Sequence, residues 1–247
     1  GQLRYPGGTK ANYFYIPNAS YALPCAPDAH SHADGSEGVG GSHDQCSLYE
    51  TFAQWPANTF SASKFVAGVG SASPVNDPKG PIWVLNMLTA NLSAQLVWLK
   101  QQSDAGLPVN YLEVGNEIFL SSHYRDLVAN ASMFIRTITD GMALARRILP
   151  HAKLAVPYGY RFCVGSDTKY DEWNQVLAAH AHMFDAITIH EYTSCIKSVD
   201  QSAAYTTEQM APAVAAWGEA ALWKHGNNVH RVMQPADAAR LEIWLTE

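Results

Sequence analysis

Basic residues are few in this sequence and form no cluster. Sixteen lysines and arginines stand against 22 acidic residues, and the formal charge of the 247-residue chain is −6. A nucleic-acid surface needs a concentrated positive field to hold phosphates, so no nucleic-acid partner is expected. No apolar run approaches the ~20 residues that cross a bilayer, so we expect no membrane span.

Glycine-rich phosphate loops are also missing from the sequence. No strand-like run is followed by G-x-G-x-x-G or by G-x-x-x-x-G-K-[ST], the patterns that place backbone amides around phosphate groups. Their absence disfavours dinucleotide and nucleotide enzymes. We therefore expect no cofactor.

Cysteines number only four, which is compatible with two disulfides. Asn-x-Ser sequons begin at Asn18, Asn91 and Asn130, and they are compatible with a secretory route. The first four residues do not begin a signal peptide. We expect a secreted or extracellular protein whose signal peptide is not present in this chain.

Buried strands and amphipathic helices alternate from residue 81 onwards. Such a repeat predicts parallel strands joined by right-handed crossovers. The 47% hydrophobic content suits a single α/β domain over residues 1–247. With residues 3–5 counted as a first strand, the predicted strands are 81–88, 111–115, 153–158, 186–192 and 240–246, and the predicted helices are 92–103, 126–149, 170–182 and 206–225.

Residues 17–80 are the least regular segment, and they are too long for a plain connection. We predict an irregular loop with a short helix at 47–55 and a Cys25–Cys46 bridge that restricts it. Carboxylate and imidazole groups there are potential ligands for zinc or calcium-like ions. Their spacing matches no closed site, so we prefer a solvated loop and expect no metal at Asp28, His30, His32, Asp34, His43 and Asp44.

Polar side chains end every predicted strand. In one parallel barrel these ends meet at a single mouth, where α/β barrels carry their chemistry. Glu117 and Glu247 are both strand-end glutamates, which indicates paired-carboxylate chemistry. The other strand-end residues are Arg4, Asn86, Asn116, Tyr158, His190 and Tyr192.

Four motifs, in order along the chain, carry a family resemblance. Residues 113–117, Glu-Val-Gly-Asn-Glu, resemble the Glu-x-x-Asn-Glu signature that ends the fourth barrel strand of the clan A retaining glycoside hydrolases. Residues 243–247 resemble that clan's seventh strand, and residues 190–192 resemble its sixth-strand His-x-Tyr. Residues 4–8, Arg-Tyr-Pro-Gly-Gly, are similar to the second-strand motif of arabinofuranosidase-like and heparanase-like members.

The resemblance implies a (β/α)8 TIM barrel of which this chain covers strands two to seven. The remainder of a parent chain would supply strands one and eight, and the substrate would be a carbohydrate. Glu117 would be the acid/base and Glu247 the nucleophile, with carboxyl groups about 5 Å apart. The substrate-binding residues would be Arg4, Asn86, Asn116, Tyr158, His190, Tyr192 and Trp244.

Some features of the sequence depart from the family pattern or allow more than one interpretation. Ile118 stands where many relatives have proline, which leaves the subfamily undecided. Trp244 fits core packing as well as a sugar subsite. The competing functions are a non-catalytic carbohydrate-binding or scaffold barrel and a metal-dependent hydrolase. Within the barrel, Cys163 and Cys195 would follow neighbouring strands and form a second bridge. The alternative to both bridges is four free thiols in a reducing compartment.

Overall fold

Six parallel strands form the main sheet of the protein. The computed structural model describes residues 4–5, 9–12, 14–18, 20–21, 80–119, 128–159, 170–190, 229 and 231–246. The strands of this sheet are β1 (Arg4–Tyr5), β4 (Ile82–Leu85), β5 (Tyr111–Val114), β6 (Lys153–Pro157), β7 (Ala186–Ile189) and β8 (Glu242–Leu245). Each strand pairs in parallel with the next one in this order, so the sheet is an α/β half-barrel. A separate antiparallel pair consists of β2 (Phe14–Tyr15) and β3 (Ser20–Tyr21).

Four α-helices accompany these strands in the described part of the chain. They are α1 (Leu92–Asp104), α2 (Ala131–Ile148), α3 (Asp171–Ala179) and α4 (Pro235–Arg240). Asparagine side chains cap the first two, because the Oδ1 atoms of Asn91 and Asn130 each accept a backbone N–H at 2.9 Å. None of the described helices has the length and apolar content to cross a membrane.

The two faces of the sheet have different chemistry. Alternate residues of each strand pack outwards against the helices, where Leu112, Val156 and Ile187 join Phe134 and Leu177 in one buried core. The intervening residues line the inner, concave face. They include polar and aromatic groups: Tyr111, Glu113, Thr188 and Trp244. The helix-packed core therefore holds the strands in place while the concave face is left for polar interactions.

Between residues 81 and 190 the predicted alternation of strands and helices is confirmed, as is the last predicted strand, with boundaries shifted by a few residues. The predicted helix 170–182 ends at Ala179 and continues as the short 3-10 helix Ala181–Met183. Pattern reasoning missed α4 and the 3-10 helix Thr9–Asn12. All four cysteines, the predicted helix 206–225 and nearly all of the predicted loop 17–80 lie outside the described residues, so both predicted bridges stay predictions.

Candidate functional site

A strained turn places Glu117 at the end of β5. The backbone of Gly115 has φ 81° and that of Glu117 has φ 48°, so both lie in the left-handed region. A side chain at position 115 would lie 2.7 Å from Ile118 Cγ1, and only glycine fits there. For a glutamate the left-handed conformation costs about 1 kcal/mol, a type of strain that clusters at functional sites.

Asn12 holds this turn from a distant part of the sequence. Its Nδ2 donates to the carbonyl oxygen of Asn116 at 2.7 Å, and its Oδ1 accepts from the Asn116 backbone N–H at 2.8 Å. Asn12 is completely buried. This amide thus satisfies both backbone groups of Asn116 and fixes the residue immediately before Glu117. Sequence reasoning missed Asn12, because it lies in a segment without a helical or strand-like hydrophobic period.

Glu117 and His190 meet at the carboxyl ends of β5 and β7, two strands that are separated by β6 in the sheet. Glu117 is 6% exposed and His190, which follows β7, is 4% exposed. The Nδ1 atom of His190 lies 2.9 Å from Oε1 of Glu117, a hydrogen-bond distance. The structure therefore brings these two predicted site residues into direct contact.

A second carboxylate, Glu113, lies behind this pair and is completely buried. Arg4 binds it through two hydrogen bonds, from Nε to Oε2 at 2.7 Å and from Nη2 to Oε1 at 2.8 Å. Thr188 donates to the same Oε1 at 2.8 Å, and His190 Nε2 lies 3.6 Å from it. Strands β1, β5 and β7 are thereby joined through one carboxylate, an arrangement that sequence reasoning did not anticipate.

Charges in this cluster are set by the competition between burial and ion pairing. Burial opposes ionisation of Glu113 most strongly, but Arg4 and His190 together hold its pKa below the usual 4.5. Burial also opposes protonation of His190, yet the adjacent carboxylates of Glu113 and Glu117 raise its pKa to about 9. At neutral pH the cluster therefore holds a carboxylate at Glu113 and an imidazolium at His190.

The raised pKa of His190 makes stability depend on pH. Its stabilising contribution is fully present below the ordinary histidine pKa of 6.5 and disappears as the pH rises through about 9. We expect the unfolding free-energy difference between wild type and His190→Gln to shrink by about 3 kcal/mol over that interval. Denaturant unfolding at several pH values measures it, and a difference that stays constant with pH would contradict the ion pairing.

Asn116 has one side-chain donor that is still available. Its Oδ1 accepts from Arg4 Nη2 at 2.8 Å, which fixes the orientation of the amide. Its Nδ2 is buried and has no hydrogen-bond partner among the described residues. An oriented, unsatisfied donor next to Glu117 is suited to a hydroxyl or carbonyl oxygen of a ligand, since leaving it unpaired costs free energy.

Two other predicted site residues, Asn86 and Tyr158, are buried in the fold. Asn86 is buried and uses its side chain within its own loop, accepting from the backbone N–H groups of Leu88 and Thr89 at 3.1 and 3.0 Å. Tyr158 is 2% exposed at the end of β6, and burial raises its pKa. Asn86 thus stabilises the loop after β4. The role of Asn86 and Tyr158 in substrate binding stays a prediction.

Trp244 lies on the concave face, but it points away from Glu117. Its ring centroid is 5.3 Å from that of Tyr111, the first residue of β5, and its Nε1 donates to Glu242 at 3.0 Å. The ring therefore packs towards the amino-terminal end of the strands. Tyr192 and Glu247 lie outside the described residues, so the separation of the two predicted catalytic carboxyl groups stays a prediction.

Comparisons with known proteins give a similarity of fold. No family model matches the sequence, and no curated protein matches it. A solved structure that does match is the α-L-arabinofuranosidase from Thermotoga maritima in complex with arabinose, with a TM-score of 0.55 and 17% identity. The match covers 98% of this chain and 46% of the enzyme, so the chain spans about half of its length. At this identity the likeness concerns the fold alone, an α/β half-barrel that is consistent with part of a TIM barrel.

Proposed function

We propose that this chain is part of the catalytic barrel of a retaining glycoside hydrolase, whose remaining strands come from the parent protein. The observation that carries the proposal is the buried Glu117, which follows β5, contacts His190 and adjoins the available amide donor of Asn116. Similarity of fold to an arabinofuranosidase supports it. A carboxyl group with an oriented donor beside it matches what glycoside cleavage requires.

The proposed reaction proceeds in two displacements. Glu117 donates its proton to the glycosidic oxygen while Glu247 attacks the anomeric carbon, so the alcohol departs and a glycosyl ester forms. Glu117, now a carboxylate, removes a proton from water, and the water oxygen displaces Glu247 to release the sugar. Glu247 follows β8 in the sequence, and β8 has the same direction as β5 in the sheet, which supports the expectation that both glutamates lie at the same end.

Neighbouring groups would support each step. The N–H of the His190 imidazolium stabilises the carboxylate that Glu117 becomes after proton transfer, because the two atoms are already within hydrogen-bond distance. Asn116 Nδ2 would donate to the sugar hydroxyl next to the reacting carbon, and Tyr192 would orient Glu247. The substrate class is a glycoside, and α-L-arabinofuranosides are the first to test because the structurally similar enzyme acts on them.

Two measurements on the parent protein test this function. Proton NMR should detect the first-formed sugar in the same anomeric configuration as the substrate, because two inversions restore it. A 2-deoxy-2-fluoro glycoside with a good leaving group should label Glu247, which mass spectrometry of the digested protein would locate. Inversion of configuration, or a label on another residue, would exclude the mechanism. Sugar binding without any turnover would support the non-catalytic barrel instead.

A further inference from the structure

Glu113 has no part in the two-carboxylate reaction, yet it occupies the centre of the described site. It lies four residues before Glu117 on β5 and its side chain has no exposed surface. Burying a carboxylate costs several kcal/mol unless partners compensate for the lost water. Here both oxygens are engaged, Oε2 by Arg4 and Oε1 by Arg4 and Thr188. A group with this many fixed partners is itself fixed in position.

The imidazole of His190 spans the distance between two glutamates. Its Nε2 lies 3.6 Å from Oε1 of Glu113, and its opposite ring nitrogen Nδ1 lies 2.9 Å from Oε1 of Glu117. The His190 side chain is buried, with 2% of its surface exposed. One end of the ring therefore faces the Glu113 carboxylate within ion-pair distance, while the other end lies within hydrogen-bond distance of Glu117.

We propose that Glu113 is a positioning residue for the acid/base: its carboxylate, held by Arg4 and Thr188, keeps His190 charged and aims its Nδ1–H at Glu117. This inference rests on the proposed glycosidase function. It assigns a task to a residue that touches neither substrate nor reacting atoms.

The charges of the groups around Glu117 suit a proton donor at that position. Among the described residues, the charged groups around His190 are Glu113, Glu117 and Arg4, and the strands beside β7 are followed by the uncharged hydroxyls of Tyr158 and Thr246. Arg4, Glu113 and His190 together carry one positive charge while Glu117 is protonated. The cluster becomes neutral when Glu117 releases its proton to the leaving group. Without the Glu113 charge, the His190 imidazolium would lose its proton at lower pH, because a neighbouring negative charge that raises its pKa is removed.

Glu113→Gln in the parent protein tests the proposal. For glycosides with poor leaving groups we expect kcat to fall about 100-fold with little change in KM, since that is the scale of general acid catalysis. Aryl glycosides with good leaving groups need little protonation and should lose less than about threefold. The alkaline limb of the kcat profile should move about one pH unit lower, because a buried negative charge is removed.

Two further variants separate this role from general damage to the fold. Thr188→Val removes one donor to Glu113 but leaves the Arg4 pair, so it should show the same leaving-group dependence to a smaller degree, even if Glu113→Gln fails to fold. Glu242→Gln is the matched control, since Glu242 on β8 is paired with Lys153 on β6 and not with the Glu113 cluster. Its leaving-group dependence and pH profile should equal those of wild type.

The possible outcomes distinguish a failure of the positioning role of Glu113 from a failure of the proposed glycosidase function. If wild type hydrolyses glycosides and Glu113→Gln or Thr188→Val loses equal activity on both substrate types, without a shift in pH profile, the positioning role is wrong while the glycosidase function stands. If wild type hydrolyses no glycoside, the proposed function fails and the inference fails with it. A leaving-group-dependent loss with the alkaline shift supports both.

Discussion

Glu117→Ala in the parent protein is expected to lower kcat/KM on natural glycosides by about 10²- to 10⁴-fold, because general acid catalysis contributes a rate enhancement of that size. The loss should depend on the leaving group. An activated aryl glycoside departs without protonation, so the covalent intermediate should still form and then accumulate, because no base activates the water. Added azide needs no base, and it should restore turnover and yield a glycosyl azide of retained configuration.

Glu247→Ala provides the necessary contrast, because it removes the nucleophile. Both substrate types should then lose activity, and no covalent intermediate should form. The exposed Glu172 on α3 offers a control, since Glu172→Gln changes a carboxylate that belongs to neither role. Full activity of Glu117→Ala on natural glycosides would refute the assignment, as would azide rescue of Glu247→Ala with retained configuration.

Strand positions could be predicted from the sequence because the signal is local. Apolar runs such as 82–85 and 153–157 alternate with helical patterns, and parallel pairing follows from that alternation. Parallel strands also bring their carboxyl ends to one edge, so the meeting of Glu117 with His190 follows from topology. Neither inference requires knowledge of a specific side-chain contact.

The supporting contacts could not be predicted, because they join residues far apart in sequence. Asn12 reaches Asn116 across 104 positions, and Thr188 reaches Glu113 across 75. Nothing in the local pattern distinguishes Asn12 from any turn asparagine. Glu113 is harder still, because its neighbours predict a buried strand and only the three-dimensional contact with Arg4 explains how a charge is accommodated there.

The position of Arg4 at a strand end was not enough to predict which groups its side chain contacts. The sequence suggests an arginine that points at a ligand, whereas the structure uses its guanidinium for Glu113 and for Asn116 Oδ1. Arg4 therefore acts on the site by fixing the two residues that frame Glu117. Its contact with a substrate stays a prediction, but its effect on the stability of the site can be stated from the geometry.

Arg4→Met is expected to reduce the unfolding free energy of the protein by about 3–5 kcal/mol, the cost of leaving a buried carboxylate without its cation. The side chains of Arg4 and Glu113 are 5% and 0% exposed, so water cannot replace the lost partner. Arg231→Met is the matched control. Arg231 also makes a bidentate ion pair, with hydrogen bonds of 2.6 and 2.7 Å to Asp171. The side chains of Arg231 and Asp171 are, however, 42% and 19% exposed. Solvent screening should limit that loss to about 1 kcal/mol or less.

The double variant Arg4→Met/Glu113→Leu tests whether the uncompensated charge is the cause. Removing both charges should recover more than half of the stability lost in Arg4→Met, because no buried ion is then left unpaired. The Arg4→Met deficit should also shrink as the pH falls below 4.5, since Glu113 stabilises the wild type only while it is ionised. Denaturant unfolding at pH 4 and pH 7 measures all four proteins. Equal losses in Arg4→Met and Arg231→Met, or a double variant no more stable than Arg4→Met, would show that the buried ion pair does not anchor the site.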